Sequence, residues 1–451
     1  MTFSTAAVSS SSHFPSIAEI KRILVERIDV QRQSVGIVVG TFGPEGRVIV
    51  SHGNFGAYYA RPVDADTAFE IGSITKVFTT LVLAEMAGRG EIGLDDPVAM
   101  HLPATVHMPT RAGREITLTD LATHTSGLPR LPENMAPADD DNPYADYSVE
   151  QMYAFLSAYE LPRDIGSQYE YSNLGMGLLG HVLARRAGTS YGALVRERIL
   201  APLNMRSTAD TPAVYMKSRL ANGHDDQLMP VLNWDLPTLA GAGALLSTAD
   251  DMMNFVEMLV DARTSPLREA LATTLSIRRP ADAGDDETGL GWVISGSGDD
   301  QIIWHNGGTG GYRSYLGFMP AKGVGVVALS NTSTEAGVDD IGRHLLDSRN
   351  PLAEPPRERV AITLDPAIYD RYVGIYRLAP EFEIAITREG AGLFAQATGQ
   401  GRLEIFAENE TRFFLKVVNA QITFDVGADG RATGLTLHQN GTDQKAPRAE
   451  A

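Results

Sequence analysis

Two β-patterned stretches, lying far apart in the chain, enclose a long helical middle. Near the start, residues 34–40 and 46–51 are apolar and β-branched, and Gly43-Pro44-Glu45-Gly46 separates them, which reads as a hairpin. Between 289 and 331 the runs GLGWVISG, QIIWHNGG, YRSYLGFMP and GVGVVALSN read as further strands. Helical spacing marks 17–32 (Ile17, Ile20, Ile23, Leu24, Ile28), a segment starting at Ser73 (Ile74, Val77, Phe78, Leu81, Val82), and 149–159, 174–187, 191–199 and 248–262. Residues 132–147 have the composition of a surface loop. Strands at both ends with helices between them are most simply layered as one antiparallel sheet flanked by helices, an α+β domain.

Pro and charge enrichment at 351–362 marks a linker. Beyond it, short alternating segments such as Phe382/Ile384/Ile386, Leu403/Ile405, Ile422/Phe424/Val426 and Leu435/Leu437 are punctuated by turns including Asp429-Gly430 and Asn440-Gly441. They predict a small antiparallel β-barrel over 363–446, followed by a tail at 447–451. Residues 1–16, with Ser9–Ser12, read as a disordered lead to a main domain over 17–350.

Function classes fall away quickly. A formal charge of −18 disfavours a nucleic-acid surface. The absence of cysteine excludes thiolate chemistry and disulfides. No apolar run is long enough to span a membrane, and no secretory signal is read. A cytoplasmic location is therefore the expectation, with a periplasmic or secreted form left open. Of 38 basic residues only six are lysine: Lys21, Lys76, Lys217, Lys322, Lys416 and Lys445. Arginine stays protonated whereas lysine need not, so a lysine in an apolar setting draws attention.

Lys76 is such a lysine. In Ser73-Ile74-Thr75-Lys76 the i, i+3 spacing puts hydroxyl and amine on one helix face. Burial lowers a lysine pKa, so a neutral amine can take the serine proton. Taken alone, the pair also fits an ordinary solvated serine and lysine. Tyr171-Ser172-Asn173 opens an apolar helix; the tyrosine can relay protons and the asparagine amide can hold the lysine and a substrate carbonyl, or the segment is a cap with a packed tyrosine. In His305-Asn306-Gly307-Gly308-Thr309-Gly310-Gly311-Tyr312, glycines on a strand let a substrate approach the backbone, and the Gly308 and Ser73 N–H groups can form an oxyanion hole. There, His305 can donate to substrate or to the tyrosine; the plain alternative is a glycine-rich hairpin.

In order and spacing, these motifs together resemble the serine β-lactamase/penicillin-binding-protein superfamily. They are most similar to class C β-lactamases and their esterase and D-aminopeptidase relatives. Phe69–Lys76, Leu118–Pro129 (LTDLATHTSGLP), Gly243–Met252 (GALLSTADDM) and His305–Asn331 carry the resemblance, which spans roughly 17–350. The tail resembles a lipocalin-like β-domain. The resemblance implies Ser73 as nucleophile, Lys76 as its base partner and Tyr171 as third catalytic group. It places Asn173, His305, Gly307 and Asn331 as substrate-binding positions, with Ser73 and Gly308 as oxyanion donors. It implies a small-molecule or peptide substrate and no metal or organic cofactor. Two departures stand out. His305 replaces the family's third-motif lysine, which efficient β-lactamases mostly keep, and no glutamine for a substrate amide follows Gly-Leu-Pro near Leu131–Asn134. The expected activity is hydrolysis of an ester or amide through a Ser73 acyl-enzyme, with a D-amino-acid peptide or small ester favoured. A class C-like β-lactamase, a D-Ala carboxypeptidase, a peptide cyclase or transacylase, and a non-catalytic penicillin-binding sensor are the alternatives.

Three other signals compete. Gly188-Thr189-Ser190-Tyr191-Gly192 fits G-x-S-x-G, but a helix precedes it, so a helix–loop–helix turn is expected. His124 is expected in a buried, hydrogen-bonded turn near the site, and Asp139–Asp141 in a solvated acidic loop.

Overall fold

The computed structural model describes residues 12–281, 286–354, 359–379, 382–416, 420–439 and 442–449. Most of the expected N-terminal lead, the centre of the linker and the Asn440-Gly441 turn lie outside them. The chain divides into two compact units, with the boundary between Glu354 and Pro355.

In the first unit, strands β1 (Gly36–Gly43), β2 (Gly46–Gly56) and β3 (Tyr59–Pro62) come from the start of the chain. From its later part come β4 (Arg279–Pro280), β5 (Glu287–Thr288), β6 (Val293–Ser295), β7 (Ile302–Gly308), β8 (Arg313–Met319) and β9 (Val324–Ser330). They form one antiparallel nine-stranded sheet in the order β4-β5-β6-β7-β8-β9-β1-β2-β3. The first and last contributions meet at β1 and β9, with Ile37 opposite Ser330 and Phe42 opposite Gly325. Gly46, at φ +94°, closes the expected hairpin between β1 and β2.

The helices that matter to the site are α1 (Ile17–Val25), α2 (Thr75–Gly88), α3 (Leu118–Ala122), α4 (Val149–Ala158), α5 (Asn173–Ala187), α6 (Ala249–Val260) and α7 (Asp339–Leu346). Side chains alternate across the strands, so the sheet buries both faces. Ile37, Val39, Val326 and Ala328 pack against Ile20, Ile23 and Leu24 of α1 and Ile341 and Leu345 of α7. Val38, Val327 and Leu329 join the larger core of α2, α5 and α6. The expected helix over 17–32 keeps α geometry only to Val25 and then widens into a π-turn over Glu26–Val30. There Arg27, almost fully buried, pairs with Asp340 and donates to the Gly337 carbonyl, which ties this turn to α7.

The single apolar stripe expected after Ser73 understates the burial of α2. Every residue from Thr75 to Ala84 is buried, as befits a helix running through a core. Its threonines are satisfied internally: Thr79 Oγ1 donates to the Gly241 carbonyl (2.7 Å) and Thr80 Oγ1 to that of Leu290 (2.8 Å). Beneath it, Asp120 is fully buried in a capping box with Thr117 and ion-paired to Arg114 (3.0 Å) and Arg279 (2.9 Å).

The second unit is an eight-stranded antiparallel sheet in sequential order: β10 (Gly374–Ala379), β11 (Phe382–Glu389), β12 (Gly392–Ala397), β13 (Leu403–Ala407), β14 (Arg412–Leu415), β15 (Ala420–Val426), β16 (Ala432–Gln439) and β17 (Thr442–Pro447). A bridge between Tyr376 and Arg448 brings its two ends together into a nearly closed barrel. Tyr372, Tyr376, Phe413 and Phe424 fill its interior, as side chains do in small barrels.

Removal of Asp120 leaves two guanidinium groups without their shared carboxylate and strips the cap of α3. Asp120→Ala is expected to cost about 1.5–3 kcal/mol, the usual scale for hydrogen bonds to a charged group, because both guanidinium groups keep access to water. Urea unfolding measures it, and a midpoint equal to that of the parent chain contradicts the assignment.

Candidate active site

The cleft is assembled from three separated segments around one buried amine. Gly72–Ile74 forms a 3-10 turn, and the α-helix starts only at Thr75. The expected helical face nevertheless survives, with Lys76 Nζ 2.9 Å from Ser73 Oγ. Nζ also lies 2.8 Å from Asn173 Oδ1 and 2.7 Å from the Ala242 carbonyl oxygen. Asn173 is the first residue of α5, whose start is fixed by Ser172. The Ser172 hydroxyl accepts from the Gly175 N–H and donates to the Pro129 carbonyl. Ala242 belongs to a short buried helix over Ala240–Gly243.

This geometry orients the amine. Lys76 is fully buried, and burial, reinforced by the Arg130 charge, holds its pKa well below the ordinary lysine range. A neutral amine has two hydrogens and one lone pair. The Ala242 carbonyl and Asn173 Oδ1 can only accept, so they take the hydrogens. The lone pair faces Ser73, and the serine hydroxyl donates into it.

Tyr171 lines the cleft together with Ser73. Burial raises the tyrosine pKa, so the phenol stays protonated, while burial shifts Lys76 the other way, toward the free base. Nζ sits 4.7 Å from the ring centroid. The two groups of the expected relay thus differ in state: one amine ready to accept a proton, one phenol holding one.

The segments that carry the expected oxyanion donors, Ser73 and Gly308, are brought together by close backbone packing. Gly72, at φ +50°, lies so near Gly308 that a Cβ on it would stand 2.7 Å from the Gly308 nitrogen. A Cβ on Gly307 would overlap the Ile71 carbonyl oxygen. Ser314 Oγ donates to that same oxygen (2.8 Å), pinning β8 to the turn before the nucleophile. Side chains at either glycine would push β7 off the turn and separate the Ser73 and Gly308 amides.

His305 is buried. Its Nδ1 donates to the Asn306 carbonyl (2.6 Å), and burial pushes its pKa down to about 3. It is neutral, and Nε2 carries the lone pair, so the ring accepts at that atom; the expected donation from there to substrate or tyrosine is not available. Asn331 is not brought into the cleft. It is fully buried, and its Nδ2 donates to the carbonyls of Asn54 (3.2 Å) and Phe55 (3.1 Å), bracing β2. The polar family position it matches has become internal framework here.

The cleft, roughly 430 Å³, is lined by Ser73, Tyr171, Gly307 and Gly308 and by residues that motif reading passed over: Arg130, Asn306, Arg313 and Asp339. Arg130 directly follows Gly127-Leu128-Pro129, where the resemblance seeks a glutamine. Arg313 stands opposite Gly308 in the β7–β8 register, with Nε donating to the Thr334 carbonyl (3.1 Å). A charged residue opening the buried strand β8 was the available signal. Asn306 donates to Asp339 at the start of α7 (2.5 Å). Of the competing signals, Ser190 is the N-cap of the helix beginning at Tyr191, after a left-handed Gly188 ends α5, and Asp139–Asp141 are exposed.

Comparison with known proteins agrees with this geometry. The family model described as Beta-lactamase matches residues 24–350, and a domain of unknown function (DUF3471) matches 358–448. The chain is 28% identical to penicillin-binding protein 4* of Bacillus subtilis, over 95% of this chain and 98% of that protein. It is 32% identical to the D-alanyl-D-alanine-carboxypeptidase/endopeptidase AmpH of Escherichia coli, over 59% of this chain and 72% of that one. A solved β-lactamase/D-alanine carboxypeptidase from Yersinia pestis superposes with a TM-score of 0.64 at 27% identity, covering 74% of this chain and 97% of its own.

Arginine cannot supply the free base that the Lys76 geometry requires. Lys76→Arg is therefore expected to slow Ser73 labelling by a fluorophosphonate about 10²–10⁴-fold. In the parent chain the labelling rate should rise with pH as the amine loses its proton, with a midpoint well below the ordinary lysine range. A Lys76→Arg variant that labels at the parent rate refutes the role. Together, the family match and the architecture of sheet, buried lysine and glycine-lined strand show that this chain belongs to the β-lactamase family of serine hydrolases.

Proposed function

We propose that the chain cleaves an ester or amide through a Ser73 acyl-enzyme, and that D-amino-acid peptides and small esters are preferred to β-lactams. The observation that carries this reading is the neutral, buried His305 where the resemblance places a charged lysine. The fixed positive charge of the cleft lies instead on Arg130 and Arg313.

In the proposed cycle, Lys76 Nζ takes the Ser73 proton as Oγ attacks the carbonyl carbon. The oxygen becomes an oxyanion held by the Ser73 and Gly308 N–H groups. On collapse, the C–N or C–O bond breaks and Tyr171 gives its proton to the departing amine or alcohol. Lys76 returns a proton to Tyr171. Water then attacks the acyl carbon as Lys76 takes its proton, and on collapse Lys76 passes that proton to Ser73 Oγ as the C–O bond to the acyl group breaks. Ester or amide plus water become acid plus alcohol or amine.

Arg130 and Arg313 favour a second, narrower reading. Guanidinium groups suit a carboxylate, so a peptide with a free C-terminus fits the cleft, in keeping with the carboxypeptidase names of relatives.

A panel of p-nitrophenyl acetate, D-alanine p-nitroanilide and nitrocefin tests the main proposal. The ester or the D-aminoacyl amide is expected to give the highest kcat/KM; nitrocefin as the fastest substrate overturns it. For the narrower reading, Arg313→Gln should raise KM for a D-alanyl-D-alanine peptide about tenfold, the scale of one charge-assisted hydrogen bond. The same peptide as its C-terminal amide should be unaffected. Equal effects on both remove the carboxylate assignment.

A further inference from the structure

His124 takes no part in the cycle above, yet it touches the catalytic tyrosine in three ways. Its carbonyl oxygen accepts from the Glu170 N–H (2.8 Å) and its Nδ1 accepts from the Ser172 N–H (3.0 Å). Those are the residues on either side of Tyr171. Its ring stacks on the Tyr171 ring, with centroids 4.5 Å apart and planes 30° from parallel. Tyr169 meets the opposite part of this small aromatic cluster edge-on, at 5.6 Å.

We infer that His124 is the positioning residue for Tyr171, clamping the backbone before and after it and supporting the phenol ring from beneath. The inference rests on the reading of Tyr171 as the proton-transfer group.

The clamp works only with one form of the ring. A backbone N–H can only donate, so Nδ1 must be bare and the proton must sit on Nε2. Nε2 is buried and has no hydrogen-bond partner among the described residues. Burial lowers the ring's pKa well below the ordinary imidazole range, which favours the neutral form that keeps Nδ1 as an acceptor. The backbone at His124 is left-handed, at φ +56°, a conformation a non-glycine residue keeps only where its surroundings enforce it. That turn is what aims both the carbonyl and the ring at the 170–172 segment. The start of α5 is already secured by Ser172 through Gly175 and Pro129, so His124 is not required as its cap. What it adds is the place of the Tyr171 hydroxyl relative to Ser73 and Lys76, where a displacement of about 1 Å can cost about 10²-fold.

The test measures Ser73 labelling by a fluorophosphonate in the full-length chain, with thermal unfolding alongside. His124→Leu keeps bulk but removes the acceptor and the stacking ring; it should slow labelling about tenfold or more. His124→Asn places an acceptor near the position of Nδ1 and should recover most of that loss; His124→Gln reaches toward Nε2 and should not. Combined with Tyr171→Phe, His124→Leu should add little, because a residue acting through Tyr171 has nothing left to position. If His124→Leu fails to fold, the Asn and Gln pair carries the comparison. A folded His124→Leu at the parent rate, equal Asn and Gln rates, or multiplying losses in the double variant overturns the inference. Tyr171→Phe at the parent rate overturns instead the role of Tyr171, and the clamp with it.

Discussion

An amine buried without a carboxylate is the constraint around which the first unit is arranged. A protonated lysine in the position of Lys76 would carry its charge into a core helix, a cost of several kcal/mol that no ion pair among the described residues offsets. The chain resolves this by letting the amine be neutral and by giving each of its hydrogens an acceptor, Asn173 Oδ1 and the Ala242 carbonyl. Those acceptors come from the start of α5 and from a short helix after the long central loops. The packing of α2 against both is therefore part of the chemistry. Two threonines of α2 hold the segment around Ala242 against the helix: Thr79 Oγ1 donates to the Gly241 carbonyl, and Thr75 Oγ1 accepts from the Leu245 N–H.

The sheet supplies the second half of the site by a close backbone approach. Glycine at 72 and 307 lets β7 lie directly on the turn that carries Ser73, and Ser314 Oγ holds the two together. The N–H groups of Ser73 and Gly308, the proposed oxyanion donors, thus belong to two elements far apart in sequence, yet their spacing is set by backbone contact. Such rigid placement is what allows amide dipoles to stabilise developing charge without reorganising.

Charge in the cleft is distributed differently from what the third motif suggests. His305 is neutral and braced against its own neighbour, while arginines from the loop after Pro129 and from β8 face the same space. Neither arginine follows from motif spacing. Arg130 reaches the cleft because the Leu128–Pro129 turn leads the chain to the start of α5, where its carbonyl accepts the Asn173 and Leu174 N–H groups. Arg313 does so because it pairs across from Gly308.

The alternating runs and the hairpin turn were legible without coordinates, because side-chain period and glycine conformation are local properties. So was the gathering of Ser73, Lys76, Tyr171 and the glycine strand in one place, since i, i+3 spacing and a helix start carry their geometry with them. Local pattern could not reveal that α2 is buried on every side, or that the helix after Ile17 opens into a π-turn to seat Arg27 on Asp340. It could not tell that Asn331 braces β2 from within, that His305 lacks a proton to offer at Nε2, or that His124 grips both sides of Tyr171. Each of these depends on which distant group occupies the space beside a side chain. The sequence by itself determined the residue types able to do acyl transfer. Tertiary packing alone decided their protonation and their aim, because burial and long-range hydrogen bonds set both.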